Sequence, residues 1–198
     1  MRVPIRRLSA ANPLWGAPRI VGELRKIGID VTKATVDQVL FVFLILAHDR
    51  RRVLHFHVTP DPSARWTAQQ MVEAFPYVDP PRFLLRDRDH IYGPAFNQRV
   101  TALGIEQILT APRSPWQNPY VERLIGTIRR ECLDHVIVMN ERHLMRILGS
   151  YFAYYHGWRT HQALDMDAPN GRRAQSVGEV IEIAEVGGLH HQYERRAA

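Results

Sequence analysis

The chain holds 198 residues, 45% of them hydrophobic, with a formal net charge of +6 and a pI near 9.9. That apolar content is enough for a packed core of ordinary domain size and excludes a disordered polymer, while the basic balance favours a polyanionic partner, nucleic acid ahead of an anionic membrane surface. The single cysteine, Cys132, excludes an intrachain disulfide, Met1–Arg7 shows no secretory pattern, and no apolar run is long enough to span a bilayer, so a cytoplasmic protein is expected.

Pro13, Ile20, Val21, Leu24 and Ile27 fall around helical spacing, with Gly28 as a stop. Asp30 and Thr32 can cap a second helix bearing Ala34, Val36, Val39 and Leu40. The two fit a helix-turn-helix unit, or equally two packed helices. The pattern then changes without a linker. Val39–Leu46 is a β-type apolar run, Asp49–Arg52 a charged turn, and Val53–Val58 an alternating strand. Together they predict an antiparallel hairpin.

A helix is expected over 65–75 and a strand over 82–86, ending at Asp87. A second helix follows at 94–103, stopped by Gly104, and a strand at 105–109. A proline-rich loop over 111–119 leads into helix 120–134 and a longer helix at 140–158. This order predicts an α/β domain with a mixed sheet. Residues 166–186 read as irregular, and 187–198 as a tail.

The chemistry centres on two carboxylates. Asp87 follows a strand of buried character, at the end where α/β sheets bind ligands. Mg²⁺ prefers carboxylate oxygens and retained waters, and two such ions about 4 Å apart can activate both oxygens at a phosphodiester. Asp89 is the rival; the plainer reading is a charged turn of Asp87 and Asp89 with Arg86 and Arg88. Glu122 lies one turn into a helix that carries Arg123, Arg129 and Arg130. Arg123 projects about 100° away from it, and Arg129 returns to its face. The plainer reading there is a solvated basic helix. In the preceding loop Pro115 and Pro119 stiffen the chain around Trp116, Gln117 and Asn118, which suits contact with a DNA end. Alternatively Trp116 is tucked into the core. Arg113, Trp116, Gln117, Asn118, Arg123, Arg129 and Arg130 are the candidate DNA contacts. His55 and His57 share a strand face, His190 and His191 adjoin, and no zinc pattern is present. Cys132 reads as packed rather than as a nucleophile paired with His135.

These residues carry a resemblance. Leu85–Gly93 (LRDRDHIYG), Ala111–Arg123 (APRSPWQNPYVER), Ile125–His135 (IGTIRRECLDH), Tyr151–His156 (YFAYYH) and the ending Gly187–Arg196 are similar to integrase-core (DDE-type) transposases of the retroviral-integrase-like superfamily, particularly those of bacterial insertion elements. The resemblance spans roughly residues 14 to 198. It implies a ribonuclease-H-like fold, a D-D-E triad holding Mg²⁺ or Mn²⁺, and DNA as partner. It also implies an oligomer on element ends, either of this chain or mixed with a full-length transposase, and a nucleoid-associated place in the bacterial cytoplasm. Carried over by position, Asp87 is the second acid and Glu122 the third, 35 positions apart; Asp89 would give 33.

The sequence departs from that pattern in one place. The family has a linker and a first strand bearing the first Asp ahead of the strand Phe41–Leu46. Here Thr35–Leu40 runs straight into it, as an internal deletion would leave it. Asp37 is the only acidic residue near the junction and is a poor substitute. The expected organisation is a helix-turn-helix-like remnant over 1–38, a truncated integrase core over 39–165 and a C-terminal tail over 166–198. The core lacks its first strand, and its strand-transfer chemistry is impaired.

Overall fold

The computed structural model describes Gly22, Glu23, Arg25, Lys26, Gly28 and residues 39–197. Glu23 and Lys26 are helical and pair at 3.3 Å. Gly28 takes φ 78°, and its N–H reaches Arg25 O at 3.1 Å, which fits the expected helix stop. Asp37 and residues 29–38 of the expected second helix lie outside the described residues; Val39 and Leu40, placed on that helix by the sequence, are not helical and lead directly into a strand at Phe41. The contacts divide into two compact units, Leu40–Gly126 and the part from Thr127 onward.

In the first unit, β1 (Phe41–Leu46) and β2 (Val53–Thr59) form the expected antiparallel hairpin, from Phe41↔Thr59 to Leu46↔Val53. A register shift falls between Ile45 and Leu46, and Arg51 takes φ 58° in the turn. Helix α1 (Ala64–Ala74) starts at Ser63, whose side chain accepts from Trp66 N at 3.2 Å. It buries Thr67, Ala68, Gln70 and Met71. His55 and His57 share the face that meets α1. His55 Nε2 lies 2.8 Å from Gln70 Oε1, and His57 packs edge-on to Trp66. Both histidines therefore have structural partners.

Strand β3 (Phe83–Arg86), helix α2 (Pro94–Ala102) and strand β4 (Glu106–Leu109) form a β-α-β crossover, with β3 and β4 parallel from Phe83↔Glu106 to Arg86↔Leu109. Gly93 lets α2 approach α1, because a Cβ there would lie 3.1 Å from Ala64 Cβ. Thr67 Oγ1 donates to Ile91 O at 2.7 Å and pins the same junction. Phe43, Ile45, Ala68, Met71, Phe96, Val100 and Ile105 make one core. Both strand pairs thus close on the same two helices.

The protein is a mixed α/β fold, as expected, but among the described residues no continuous mixed sheet forms. The described strands make three separate two-stranded sheets, β1–β2, β3–β4 and β5–β6. The first two share apolar burial but no hydrogen-bonded ladder. Two-stranded sheets hold little by themselves and need a packed face, which α1 and α2 supply. The strand ends keep apolar exposure: Phe41 and Phe83 are each 44% exposed.

Helix α3 (Pro119–Glu131) runs through the division between the units. In the second unit, α4 (Glu141–Gly157) starts at Asn140, whose Oδ1 accepts from His143 N at 2.8 Å. It buries Leu144, Leu148, Tyr151, Phe152 and Tyr155. The region expected to be irregular, followed by a tail, is instead a hairpin of β5 (Glu179–Glu185) and β6 (His190–Arg196), paired from Glu179↔Arg196 to Glu185↔His190. The strand signal was diluted by Glu179, Glu182 and Glu185 around Val180, Ile181 and Ile183. The Gly187–Gly188 turn, with φ 65° and 89°, makes the reversal that the period alone hid. Gly178 starts the hairpin at φ 106°, where a Cβ would meet Arg196 O at 2.5 Å.

Candidate nucleic-acid interface and carboxylate pair

Asp87 leaves the end of β3 and is exposed. Its Oδ1 accepts from Asp89 N at 3.1 Å, so it opens a tight acidic turn. Asp89 is committed further: its Oδ1 accepts from Ile91 N at 3.1 Å and meets His90 Nδ1 at 2.8 Å. Of the two acids, Asp87 carries fewer local bonds.

The flanking arginines direct their hydrogen bonds away from the Asp87 carboxylate. Arg86 donates to Gln107 Oε1 (2.8 Å), Asn97 Oδ1 (3.0 Å) and the carbonyl of Asp87 (2.8 Å). Its guanidinium also lies over Tyr92, 5.0 Å from the ring centre. Burial draws the Arg86 guanidinium down from its usual pKa, against the opposing pull of Tyr92 and Asp87. The Tyr92 phenol is pushed up to about 12 by burial, with Asp87 and Asp89 adding to the shift. Arg88 Nε donates to Thr110 O at 3.0 Å, and Thr110 N donates back to Arg86 O at 3.0 Å. The Asp87 turn is therefore tied to the end of β4, where the proline-rich loop begins.

That loop is built by its own side chains. Gln117 Oε1 accepts from Ala111 N at 2.6 Å, and Ser114 Oγ donates to Pro112 O at 3.2 Å. Arg113 sits at φ 56° and is exposed. Pro115–Gln117 form a single 3-10 turn, and Glu122 N closes on Asn118 O at 3.2 Å to start α3. Gln117 spends its carbonyl oxygen on the loop, whereas Asn118 Oδ1 is buried with no hydrogen-bond partner among the described residues. Trp116 is 71% exposed, which rules out the reading that tucked it into the core. An exposed indole on a braced turn is suited to stacking on a base.

Glu122 and Arg123 are exposed in the first turns of α3, and Arg129 and Arg130 are exposed in its last turn. Three hydrogen bonds, Arg88 Nε to Thr110 O, Ala111 N to Gln117 Oε1 and Glu122 N to Asn118 O, tie the backbone after Asp87 through the loop to the backbone of Glu122. Sequence reasoning missed a further support. Tyr120 packs edge-on to His48, with ring centres 4.9 Å apart, and lies under Arg51 at 4.6 Å. The turn of β1–β2 therefore braces the start of α3. The only sequence signal was the arginine run Arg50–Arg52 beside a histidine.

Residues 103–169 match the family model described as the integrase core domain. The match includes the loop, Glu122, α3 and α4, and it stops short of Asp87. No curated protein matches the chain. No helix among the described residues is long and apolar enough to cross a membrane.

A hard divalent cation of the kind the integrase-core resemblance implies needs several oxygen donors. Asp87 and Glu122 are both exposed carboxylates. Among the described residues no group of three or more His, Cys, Asp or Glu is placed to hold a metal ion. Cys132 adds nothing: it is fully buried, and burial pushes its thiol up to about 11. His135 is bonded instead to Arg130 O, at 2.8 Å.

Proposed function

We propose that this chain is an integrase-core relative that binds DNA and whose phosphodiester chemistry is impaired. The match over residues 103–169 carries this reading, because it takes in the braced loop and the Glu122 helix together. In the proposal Trp116 stacks on an exposed base, Asn118 offers a polar edge, and Arg113, Arg123, Arg129 and Arg130 reach backbone phosphates. Gln117 contributes mainly by holding the loop. Asp87 and Glu122 are the catalytic and metal-holding carboxylates of a ribonuclease-H-like core, with Asp37 a weak third. With Mg²⁺ or Mn²⁺ bound, such a site would supply an activated oxygen and charge stabilisation at the phosphate. With two described carboxylates instead of three, no cleavage step is assigned to this chain.

The test is retention of a labelled duplex as salt is varied. Binding that falls steeply with salt, and weakens in an Arg123→Ala, Arg129→Ala double variant, supports the reading. No retention at low salt would sink it. Incubation with Mg²⁺ tests the impairment: duplex cut by the wild type but not by Glu122→Gln would show an active site.

A second reading has one observation in its favour. Phe41 and Phe83 stay exposed on strands that belong to two-stranded sheets. Such strands suit pairing with another chain, so the protein would join and modulate an assembly of a full-length transposase. Co-purification of this chain with a tagged intact transposase tests that reading.

A further inference from the structure

The two edges of the β5–β6 hairpin are finished differently. Along β6, backbone groups that point away from β5 are met by side chains. Arg172 Nη2 donates to Tyr193 O at 3.1 Å, and Arg195 N donates to Gln175 Oε1 at 2.7 Å. Those two bonds fix the parity of the ladder. Tyr193 and Arg195 turn their backbone groups outward, so their partners Glu182 and Val180 do the same on β5. Ala184, opposite His191, follows by alternation. Val180, Glu182 and Ala184 thus present N–H and C=O groups along the outer edge of β5. Among the described residues no strand pairs with that edge.

Open edges are protected from further pairing by proline, bulges or charge. β5 reads EVIEIAE, with no proline, and it pairs with β6 without a register shift. Its guard is therefore charge alone, and that charge has one sign. Glu179 and Glu185 have no cationic partner among the described residues, and Glu182 meets His191 at 3.3 Å. Three carboxylates on one strand, in a chain of net charge +6, make the edge selective. A nucleic-acid backbone is repelled. A second copy of β5 laid antiparallel about Glu182 would set Glu182 against itself and Glu179 against Glu185, and like charges directly opposite destabilise a pair. A strand carrying cations at the same spacing is attracted. Val180 and Ala184 flank Glu182 on the exposed face, so apolar side chains fit beside the central cation.

We propose that the outer edge of β5 takes an extended segment of a protein partner as a third strand, apolar between Lys or Arg residues that lie opposite Glu179, Glu182 and Glu185. The backbone of Val180, Glu182 and Ala184 supplies the hydrogen bonds, and the carboxylates select the partner. This contact uses none of the residues proposed to meet DNA and stands whether or not the chain binds DNA.

The experiment titrates the full chain into a fluorescein-labelled peptide with lysine at the three positions facing the glutamates and valine between them. A matched peptide with glutamate in place of lysine is the control. The lysine peptide should bind, and the glutamate peptide should bind at least roughly tenfold more weakly. Amide exchange reads the edge itself. In the free chain the N–H groups of Ile181 and Ile183 are held by β6, while those of Val180, Glu182 and Ala184 exchange readily; the lysine peptide should protect the latter three. Ala184→Pro removes an outward N–H and spares the β5–β6 ladder, so it should abolish peptide binding without lowering the melting temperature. A Glu179→Lys, Glu182→Lys, Glu185→Lys variant should exchange the peptide preference. The proposal is overturned by no binding of the lysine peptide at low salt, by equal binding of both peptides, or by binding that leaves the three outward amides unprotected. Unchanged binding in Ala184→Pro overturns it as well, as does a lysine preference that survives charge reversal. If Ala184→Pro melts early, the amide pattern and the charge reversal decide.

Discussion

Replacing Arg159 with alanine removes the partner that holds Glu131 in the second unit. Arg159 donates to Glu131 through Nε at 2.8 Å and Nη2 at 2.7 Å, and Tyr151 OH adds a third bond at 2.8 Å. The two charged side chains are only 23% and 30% exposed. Burial by itself would raise the Glu131 carboxyl, but the bonds from Arg159 and Tyr151 outweigh it and hold the pKa below the usual range. Arg159 is raised in return, chiefly by its bond to Glu131. Bonds to charged groups contribute about 1.5–3 kcal/mol each, and breaking a buried pair costs about 3–5 kcal/mol. Partial exposure places this pair lower, so the Arg159→Ala loss is about 2–3 kcal/mol at neutral pH.

The pH dependence has a definite sign. A carboxyl whose folded pKa is depressed contributes stability above its unfolded pKa, and that stability is lost as pH falls through the folded value. Wild type should therefore lose urea stability below the ordinary glutamate range, and Arg159→Ala should lose less over the same interval. Urea midpoints measured from neutral to acidic pH check this. An Arg159→Ala midpoint equal to wild type at neutral pH, or an unchanged acid slope, would refute the reasoning.

Other expected outcomes follow from single contacts. Met71→Ala opens a void in the fully buried core of the first unit and should cost about 2–5 kcal/mol, read from the thermal melt. Trp116→Ala should leave the melting temperature unchanged while weakening DNA binding, because its ring is exposed. Arg88→Ala cuts the tie to Thr110 O, and faster amide exchange across 110–118 should report the loosened loop. Cys132 should resist alkylation at pH 8 until the chain unfolds, since a thiol raised to about 11 is only about one part in a thousand ionised there.

The elements of the first unit were readable because their periods are clean. Phe43 and Ile45 alternate on β1, Thr67, Ala68 and Met71 mark one side of α1, and Gly104 ends α2 at φ 72°. Helices α3 and α4 were likewise anticipated to within a few residues. The antiparallel pairing of β1 with β2 was readable, but the extent of the β3–β4 ladder was not. Nothing local in Phe83–Arg86 says that its ladder stops at β4, because pairing depends on which strand lies alongside. The β5–β6 hairpin escaped notice because its glutamates mask the alternation and its turn lies in a Gly-Gly pair.

The candidate site divides in the same way. The acids and the exposed loop could be named from the chain, but their supports could not. Arg88 reaches a carbonyl 22 positions away, and Tyr120 lies under an arginine from a distant turn. Those contacts follow from the fold and leave no pattern in sequence. Trp116 shows the limit most plainly: a tryptophan between prolines can be buried or displayed, and only the braced 3-10 turn decides it.

The central claim is DNA binding without efficient cleavage. One gel of a labelled duplex, incubated with the protein and Mg²⁺ and then resolved natively and after denaturation, reads both halves. The expected result is a retarded complex at low salt whose DNA strands remain full length. Strands cut by wild type and spared by Glu122→Gln, or no retarded complex at all, would contradict it.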